Sequence, residues 1–144
     1  MSFMDERDLD DERDARTILV IDDTPFNLRT LKTLLEEKYK ILLAKSGGLA
    51  LKMLENAKPD LILLDIEMPE MSGFAVMREL QRTPEYADIP VICFTSHLAT
   101  ETFVQQVIEA GFKGYIRKPF ETEVLFSKIE SIFGINNDDE YSLR

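Results

Sequence analysis

Short apolar segments alternate with longer segments of helical periodicity through most of this chain. The first apolar segment, Thr17–Ile21, contains no charged residue, which is typical of a strand buried on both faces. Four further segments follow, and between them apolar residues recur three or four positions apart, as on the inner face of a helix. The pattern predicts five strands and five helices, with the later strands at residues 39–44, 61–64, 91–94 and 113–116.

Prolines, glycines and small polar residues mark the ends of the predicted helices. Pro25 suits a first helical turn, with Thr24 or Asp23 as the N-cap, and residues 46–47 open the second helix. Gly111 ends the fourth helix, and Gly134 follows the fifth, predicted over residues 121–133.

Strict alternation of strands and helices predicts an α/β fold, a doubly wound five-stranded parallel sheet with helices on both faces. In such sheets the functional crevice lies outside the carboxyl ends of the strands. The residues that directly follow each apolar segment are therefore the candidates for chemistry.

Composition narrows the class of protein. The net charge of −10 argues against a direct nucleic-acid partner. A single cysteine, Cys93, and a single histidine, His97, exclude an internal disulfide and a histidine-rich metal site. The apolar runs are far shorter than the roughly 20 residues needed to cross a bilayer, and no signal sequence is evident. We expect a cytoplasmic protein without a membrane partner, and Cys93 as a small core residue.

Much of the negative charge lies at the two ends of the chain. Residues 1–16 hold seven acidic residues against three arginines, and residues 136–144 hold three acidic residues against one arginine. Both stretches have few core-forming residues, so we expect acidic tails flanking a globular domain over residues 17–135.

Acidic, hydroxyl and basic side chains follow the predicted strands. They are Asp22 and Asp23 after the first, Asp65 after the third, Thr95 and Ser96 after the fourth, and Lys118 after the fifth. Three converging carboxylates repel one another, and a divalent cation removes that repulsion. Oxygen ligands suit Mg²⁺, which commonly acts together with phosphates, and an ammonium opposite the metal suits a phosphoryl oxygen.

This set of residues predicts a site for phosphoryl transfer. Asp65, at the end of the central strand, is the best-placed nucleophile, because an aspartate can form an acyl phosphate. Mg²⁺ held by Asp22 and Asp23 would neutralise charge on the transferring group. The Thr95 hydroxyl, the Ser96 amide and Lys118 would hold the phosphoryl oxygens.

Four segments carry a family resemblance: I-L-V-I-D-D-T-P at 18–25, L-I-L-L-D-I-E-M-P-E-M-S-G at 61–73, V-I-C-F-T-S at 91–96 and Y-I-R-K-P-F at 115–120. With spacings of 42, 30 and 23 residues between Asp23, Asp65, Thr95 and Lys118, the chain resembles the receiver domain of two-component response regulators, the chemotaxis-regulator fold. The resemblance covers about residues 17–133. It implies the flavodoxin-like strand order 2-1-3-4-5.

The resemblance also implies roles. Asp65 would be the phosphoacceptor, charged from a phosphohistidine of a sensor histidine kinase or a histidine phosphotransfer protein of bacterial type. Asp22, Asp23, Asp65 and the backbone carbonyl of Glu67 would hold Mg²⁺. Thr95 and Lys118 would contact the phosphoryl group, and Thr95 and Tyr115 would form the switch.

The resemblance also implies how the domain would behave as a signalling protein and which partners it would have. The domain would assist its own phosphorylation and dephosphorylation without being a turnover enzyme, and would signal to a downstream protein target or to an output domain. The resemblance also allows for a homodimer through the face formed by helix 4, strand 5 and helix 5. The sequence leaves open whether the domain stands alone or belongs to a longer regulator or hybrid kinase.

Two other classes share parts of this pattern. A haloacid dehalogenase phosphatase also uses an aspartate after a buried strand with Mg²⁺ and a second acid two residues on, where Glu67 stands, but Pro69 replaces the expected Thr or Val. A flavodoxin-like electron carrier needs a loop rich in hydroxyls and glycine after the first strand, where this chain has Asp22 and Asp23.

Overall fold

The computed structural model describes residues 16–134, and within them strands and helices alternate as predicted. Residues 1–15 and 135–144, which include most of the predicted N-terminal tail and all of the predicted C-terminal tail, lie outside the described residues. The strands are β1 (Thr17–Ile21), β2 (Lys40–Ala44), β3 (Leu61–Asp65), β4 (Val91–Thr95) and β5 (Gly114–Arg117). The helices are α1 (Pro25–Leu35), α2 (Gly47–Met53), α3 (Gly73–Arg82), α4 (Glu101–Ala110) and α5 (Thr122–Phe133).

The five strands form one parallel sheet in the order β2-β1-β3-β4-β5, which confirms the predicted topology. The chain runs outward from β1 to β2, then returns past β1 to β3 and continues in the other direction. The order therefore reverses between β1 and β3, which is where ligand crevices form in such sheets.

Side chains of the central strands alternate between two apolar layers. One layer contains Ile18, Val20 and Leu63 and is covered by α1 and α5. The other contains Leu19 and Leu64 and is covered by α2, α3 and α4. Because β1 and β4 are flanked on both sides by strands and on both faces by helices, their apolar residues are almost wholly buried.

Two details differ from the pattern-based expectation. Tyr39 lies before β2 rather than in it, because its amide donates to the Leu35 carbonyl at 3.0 Å, at the end of α1, and its buried ring packs edge-on against Phe133 with centroids 5.6 Å apart. Ile108 is 60% exposed on α4, whereas Phe103 and Val107 are buried, so apolar periodicity located the helix but did not identify every residue of its buried face. Arg16 contacts the end of α5, its guanidinium 4.6 Å from the Phe133 ring centroid. The tail and domain boundaries stay predictions.

No helix among residues 16–134 combines the length and the apolar character that a membrane span requires.

Candidate functional site

The sheet brings three carboxylates together at its carboxyl edge. Asp22, Asp23 and Asp65 can each place one oxygen within 4.8 Å of the others. Asp22 and Asp65 are buried, and Asp23 is more open to solvent. A cluster of hard oxygen ligands with one solvent-facing side could hold a metal ion, and this donor chemistry fits Mg²⁺.

Asp22 is fixed by the start of α1. Its carboxylate accepts hydrogen bonds from the Thr24 amide at 2.9 Å and from the Asn27 side chain at 3.2 Å. Thr24 occupies the predicted N-cap position but makes no side-chain capping bond, and Pro25 follows it in the first turn. The bonds to Asp22 form a tight turn that fixes its carboxylate just before the helix, and Thr24 is the N-cap residue by position, as predicted.

Asp65 is the last residue of β3, and the following loop folds back onto it. The Glu67 amide donates to Asp65 Oδ1 at 3.1 Å, and the Gly73 amide donates to the Ile66 carbonyl at 2.9 Å. A Cβ at Gly73 would lie 2.5 Å from the Asp65 carbonyl oxygen, so only glycine permits this close approach. The loop fixes the backbone of Asp65 and Glu67 next to the carboxylate cluster.

Lys118 reaches the carboxylates from the other side of the sheet edge. Its amide donates to the Thr95 carbonyl at 2.8 Å, which ties the end of β5 to the end of β4. Its Nζ lies 3.1 Å from Asp65 Oδ1 and 3.7 Å from Asp22 Oδ2. The ammonium therefore offsets part of the negative charge that the buried acids bring together.

The environment of Asp65 disfavours its charged form. Burial, first, and the nearby charge of Asp22 raise the pKa of this carboxyl from 3.8 to about 6, against the opposing effect of Lys118 and the Glu67 amide, which lower it. A bound cation would stabilise the charged form of the Asp65 carboxyl. The cluster is therefore suited to bind a cation.

Thr95 and Ser96 contact a group that the sequence had not assigned to them, the Glu67 side chain. The Thr95 hydroxyl donates to Glu67 Oε2 at 2.8 Å, and the Ser96 amide donates to Oε1 at 3.3 Å. His97 Nε2 lies 3.4 Å from Oε2. The sequence pattern did not predict that the Glu67 carboxylate contacts Thr95 and Ser96.

Two other predicted residues lie away from the carboxylates. Tyr115 is half-buried in β5 and packs against the apolar layer under α2, α3 and α4, with Lys128 Nζ 5.9 Å from its ring centroid. Cys93 is fully buried in β4, and burial raises the pKa of its thiol to about 12. The prediction of Cys93 as a small core residue is confirmed.

Comparison with known proteins identifies the family of the chain. The family model of the response regulator receiver domain matches residues 18–130. A probable cyclic di-GMP phosphodiesterase of Vibrio cholerae is 38% identical over 115 residues, which are 80% of this chain and 26% of the relative. Protein PilH of Pseudomonas aeruginosa is 34% identical over 116 residues, which are 80% of this chain and 95% of the relative.

A solved structure gives the same picture. The receiver domain of a signal transduction histidine kinase from Syntrophus aciditrophicus superposes with a TM-score of 0.76 at 34% identity, covering 85% of this chain and 93% of that one. The chain spans about a quarter of the length of the first curated relatives that it matches. It belongs to the response regulator receiver family, the phosphoacceptor domains of two-component phosphorelay signalling.

Proposed function

We propose that Asp65 is the residue that accepts the phosphoryl group. The observation that carries the proposal is the burial of Asp65 at the end of β3, with Lys118 Nζ 3.1 Å away and the two other acids beside it. The donor would be a phosphohistidine on a sensor histidine kinase or a histidine phosphotransfer protein.

In the transfer, a carboxylate oxygen of Asp65 attacks the phosphorus atom. A P–O bond forms as the P–N bond of the phosphohistidine breaks, and the electron pair of that bond stays on the imidazole nitrogen, which then takes up a proton. Lys118 can follow the developing charge, because its ammonium already lies beside Asp65. The Thr95 hydroxyl and the Ser96 amide would donate to the phosphoryl oxygens on the opposite side.

Asp22, Asp23, Asp65 and the backbone carbonyl of Glu67 would hold Mg²⁺. When bound, the ion supplies charge neutralisation for the transferring phosphoryl group. The proposal draws support from the three carboxylate oxygens that approach within 4.8 Å and from the hardness of these ligands.

The phosphorylated domain would act on a protein partner through the face formed by α4, β5 and α5. Thr95 and Tyr115 are the proposed switch, since Thr95 ends β4 and Tyr115 lies on the neighbouring strand β5. The partner would be a downstream target or an attached output domain, and a homodimer through the same face stays a prediction. We also propose that the domain is a cytoplasmic phosphoacceptor rather than a turnover enzyme.

Phosphorylation in vitro tests the central proposal. A small phosphodonor with Mg²⁺ should add one phosphoryl group that is stable to acid and labile to base and hydroxylamine. Asp65→Asn should abolish this product, whereas Asp88→Asn, at an exposed carboxylate far from the cluster, should not. Labelling of Asp65→Asn as fast as wild type, at a residue outside the cluster, would show that the assignment is wrong. Repeated turnover of a generic phosphate ester would favour a phosphatase instead.

A further inference from the structure

The Glu67 carboxylate occupies the hydrogen-bond donors at the end of β4. Thr95 Oγ1 donates to Oε2 at 2.8 Å, while the Ser96 amide and the Ser96 hydroxyl lie 3.3 and 3.4 Å from Oε1. Thr95 is wholly buried, so its hydroxyl has few alternative acceptors. Both oxygens of the Glu67 carboxylate are therefore engaged by two consecutive residues.

The surrounding loops hold the Glu67 side chain in this place. Its amide is bound to Asp65 Oδ1 at 3.1 Å, which fixes the backbone from which the side chain extends toward β4. His97 Nε2 lies 3.4 Å from Oε2, and the His97 ring packs against Phe103 of α4 with centroids 5.1 Å apart. The carboxylate is thus connected to β3, to β4 and to the first turn of α4.

The donors that Glu67 engages are those proposed to receive a phosphoryl oxygen. A carboxylate and a phosphoryl group are both anions that accept hydrogen bonds through oxygen. The Thr95 hydroxyl has one proton, so it cannot donate a full hydrogen bond to the Glu67 carboxylate and to a phosphoryl oxygen at the same time. A phosphoryl group on Asp65 would also add negative charge close to Glu67, and like charges repel.

We propose that Glu67 is a positioning residue that occupies the phosphoryl-binding donors of Thr95 and Ser96 in the unphosphorylated protein and must release them when Asp65 is phosphorylated. The inference rests on the proposed role of Asp65 and adds a regulatory step to that site. A phosphoryl-like anion must compete with the Glu67 carboxylate for the donors of Thr95 and Ser96. The Glu67 side chain therefore lowers the affinity of the site for such an anion.

Binding of beryllofluoride, a phosphoryl analogue, to the full chain with Mg²⁺ tests this step. Glu67→Ala should bind the analogue about tenfold more tightly than wild type, since loss of one hydrogen-bonded charge contact is worth roughly that factor. Glu67→Gln, which keeps the length but not the charge, should fall between the two. Glu70→Ala is the matched control, because this exposed acid lies on the same loop.

Two further measurements separate positioning from a structural effect. Without the analogue, the Ser96 amide signal should shift in Glu67→Ala and stay in place in Glu70→Ala, because only Glu67 accepts a hydrogen bond from that amide. Affinity for Mg²⁺ alone should change less than affinity for beryllofluoride, because the Glu67 carbonyl is retained.

The outcomes distinguish this inference from the function it rests on. Equal or weaker analogue binding by both Glu67 variants, with normal binding by wild type, would overturn the inference alone. If wild type bound no beryllofluoride, the proposed function would fail and the inference with it.

Discussion

The body of the sheet and its carboxyl edge bury side chains of opposite polarity. In the body, the central strands β1, β3 and β4 bury apolar side chains on both faces. At the edge, the same strands end in polar groups that are just as deeply buried. Among residues 16–134, the buried polar or charged residues are Asp22, Asp65 and Thr95, and all three belong to the carboxyl edge.

Burial of side chains contributes to the stability of the fold with opposite sign in these two regions. Burial of apolar surface stabilises a fold, whereas burial of a carboxylate destabilises it unless partners offset the loss of water. Lys118, Asn27 and backbone amides provide part of that compensation at the edge. The elevated pKa of Asp65 shows that the compensation is incomplete. Stability therefore comes mainly from the body of the sheet, whereas the proposed chemistry lies at the edge.

Truncation of a side chain in the body should give the largest effect. Leu63 is fully buried in the middle of β3 under α1 and α5, so Leu63→Ala should lower the free energy of unfolding by about 2–5 kcal/mol. Ile108→Ala, at a side chain 60% exposed, should change it by less than about 0.5 kcal/mol. Chemical denaturation measures both, and comparable losses in the two variants would contradict the contrast.

Neutralising a carboxylate at the edge should have the opposite sign. The Asp65 carboxyl has a pKa near 6 in the folded chain and 3.8 when unperturbed, so its contribution to stability is complete below pH 3.8 and is lost as the pH rises through 6. In a chelating buffer, Asp65→Asn should therefore raise the free energy of unfolding at pH 7 by up to about 3 kcal/mol.

The same measurement at lower pH provides the check on the sign. The gain from Asp65→Asn should shrink as the pH falls from 7 to 4, because the wild-type carboxyl becomes neutral. Asp88→Asn, at an exposed carboxylate, should show no comparable gain at either pH. A variant less stable than wild type at pH 7 would mean that Lys118 and the amides fully compensate the buried charge.

Metal binding should depend on the edge and not on the acidic N-terminal stretch. Asp23→Ala removes one of three converging carboxylates and should weaken Mg²⁺ binding more than tenfold, since even indirect partners of a metal are worth about 10–100-fold. Deletion of residues 1–14 removes many acids but should leave the affinity nearly intact. Magnesium titration followed by amide signals of residues near Asp22 compares the two, and the reverse order of effects would reject the site.

The smallest expected effect is the conformational coupling between the carboxyl edge and the face formed by α4, β5 and α5. A phosphoryl analogue should perturb amide signals of residues 104–108 and 114–116 more than those of residues 50–54. The coupling energy available is about 1–3 kcal/mol. Thr95→Ala should keep Mg²⁺ binding but remove the distant changes. Equal perturbation on both sides of the sheet would exclude Tyr115 from the mechanism.

Local sequence patterns predicted most of the fold. Runs such as Thr17–Ile21 define buried strands, and Gly111 and Gly134 adopt the left-handed conformation expected after a helix. Because the carboxyl ends of parallel strands share one edge, the same pattern predicted that Asp22, Asp65 and Thr95 lie close together. The strand and helix-end signals are readable because each depends on residues close in sequence, and the shared edge follows from a general property of parallel sheets.

Only the tertiary structure determined which way side chains point and which distant residues are in contact. Periodicity placed Ile108 in α4, but the packing of α4 on the sheet left its side chain in solvent. Spacing put Glu67 two residues after Asp65, yet only the paired ends of β3 and β4 turn its carboxylate toward Thr95. A sequence specifies which groups arrive at an edge, whereas the long-range packing of strands and loops determines which of those groups touch.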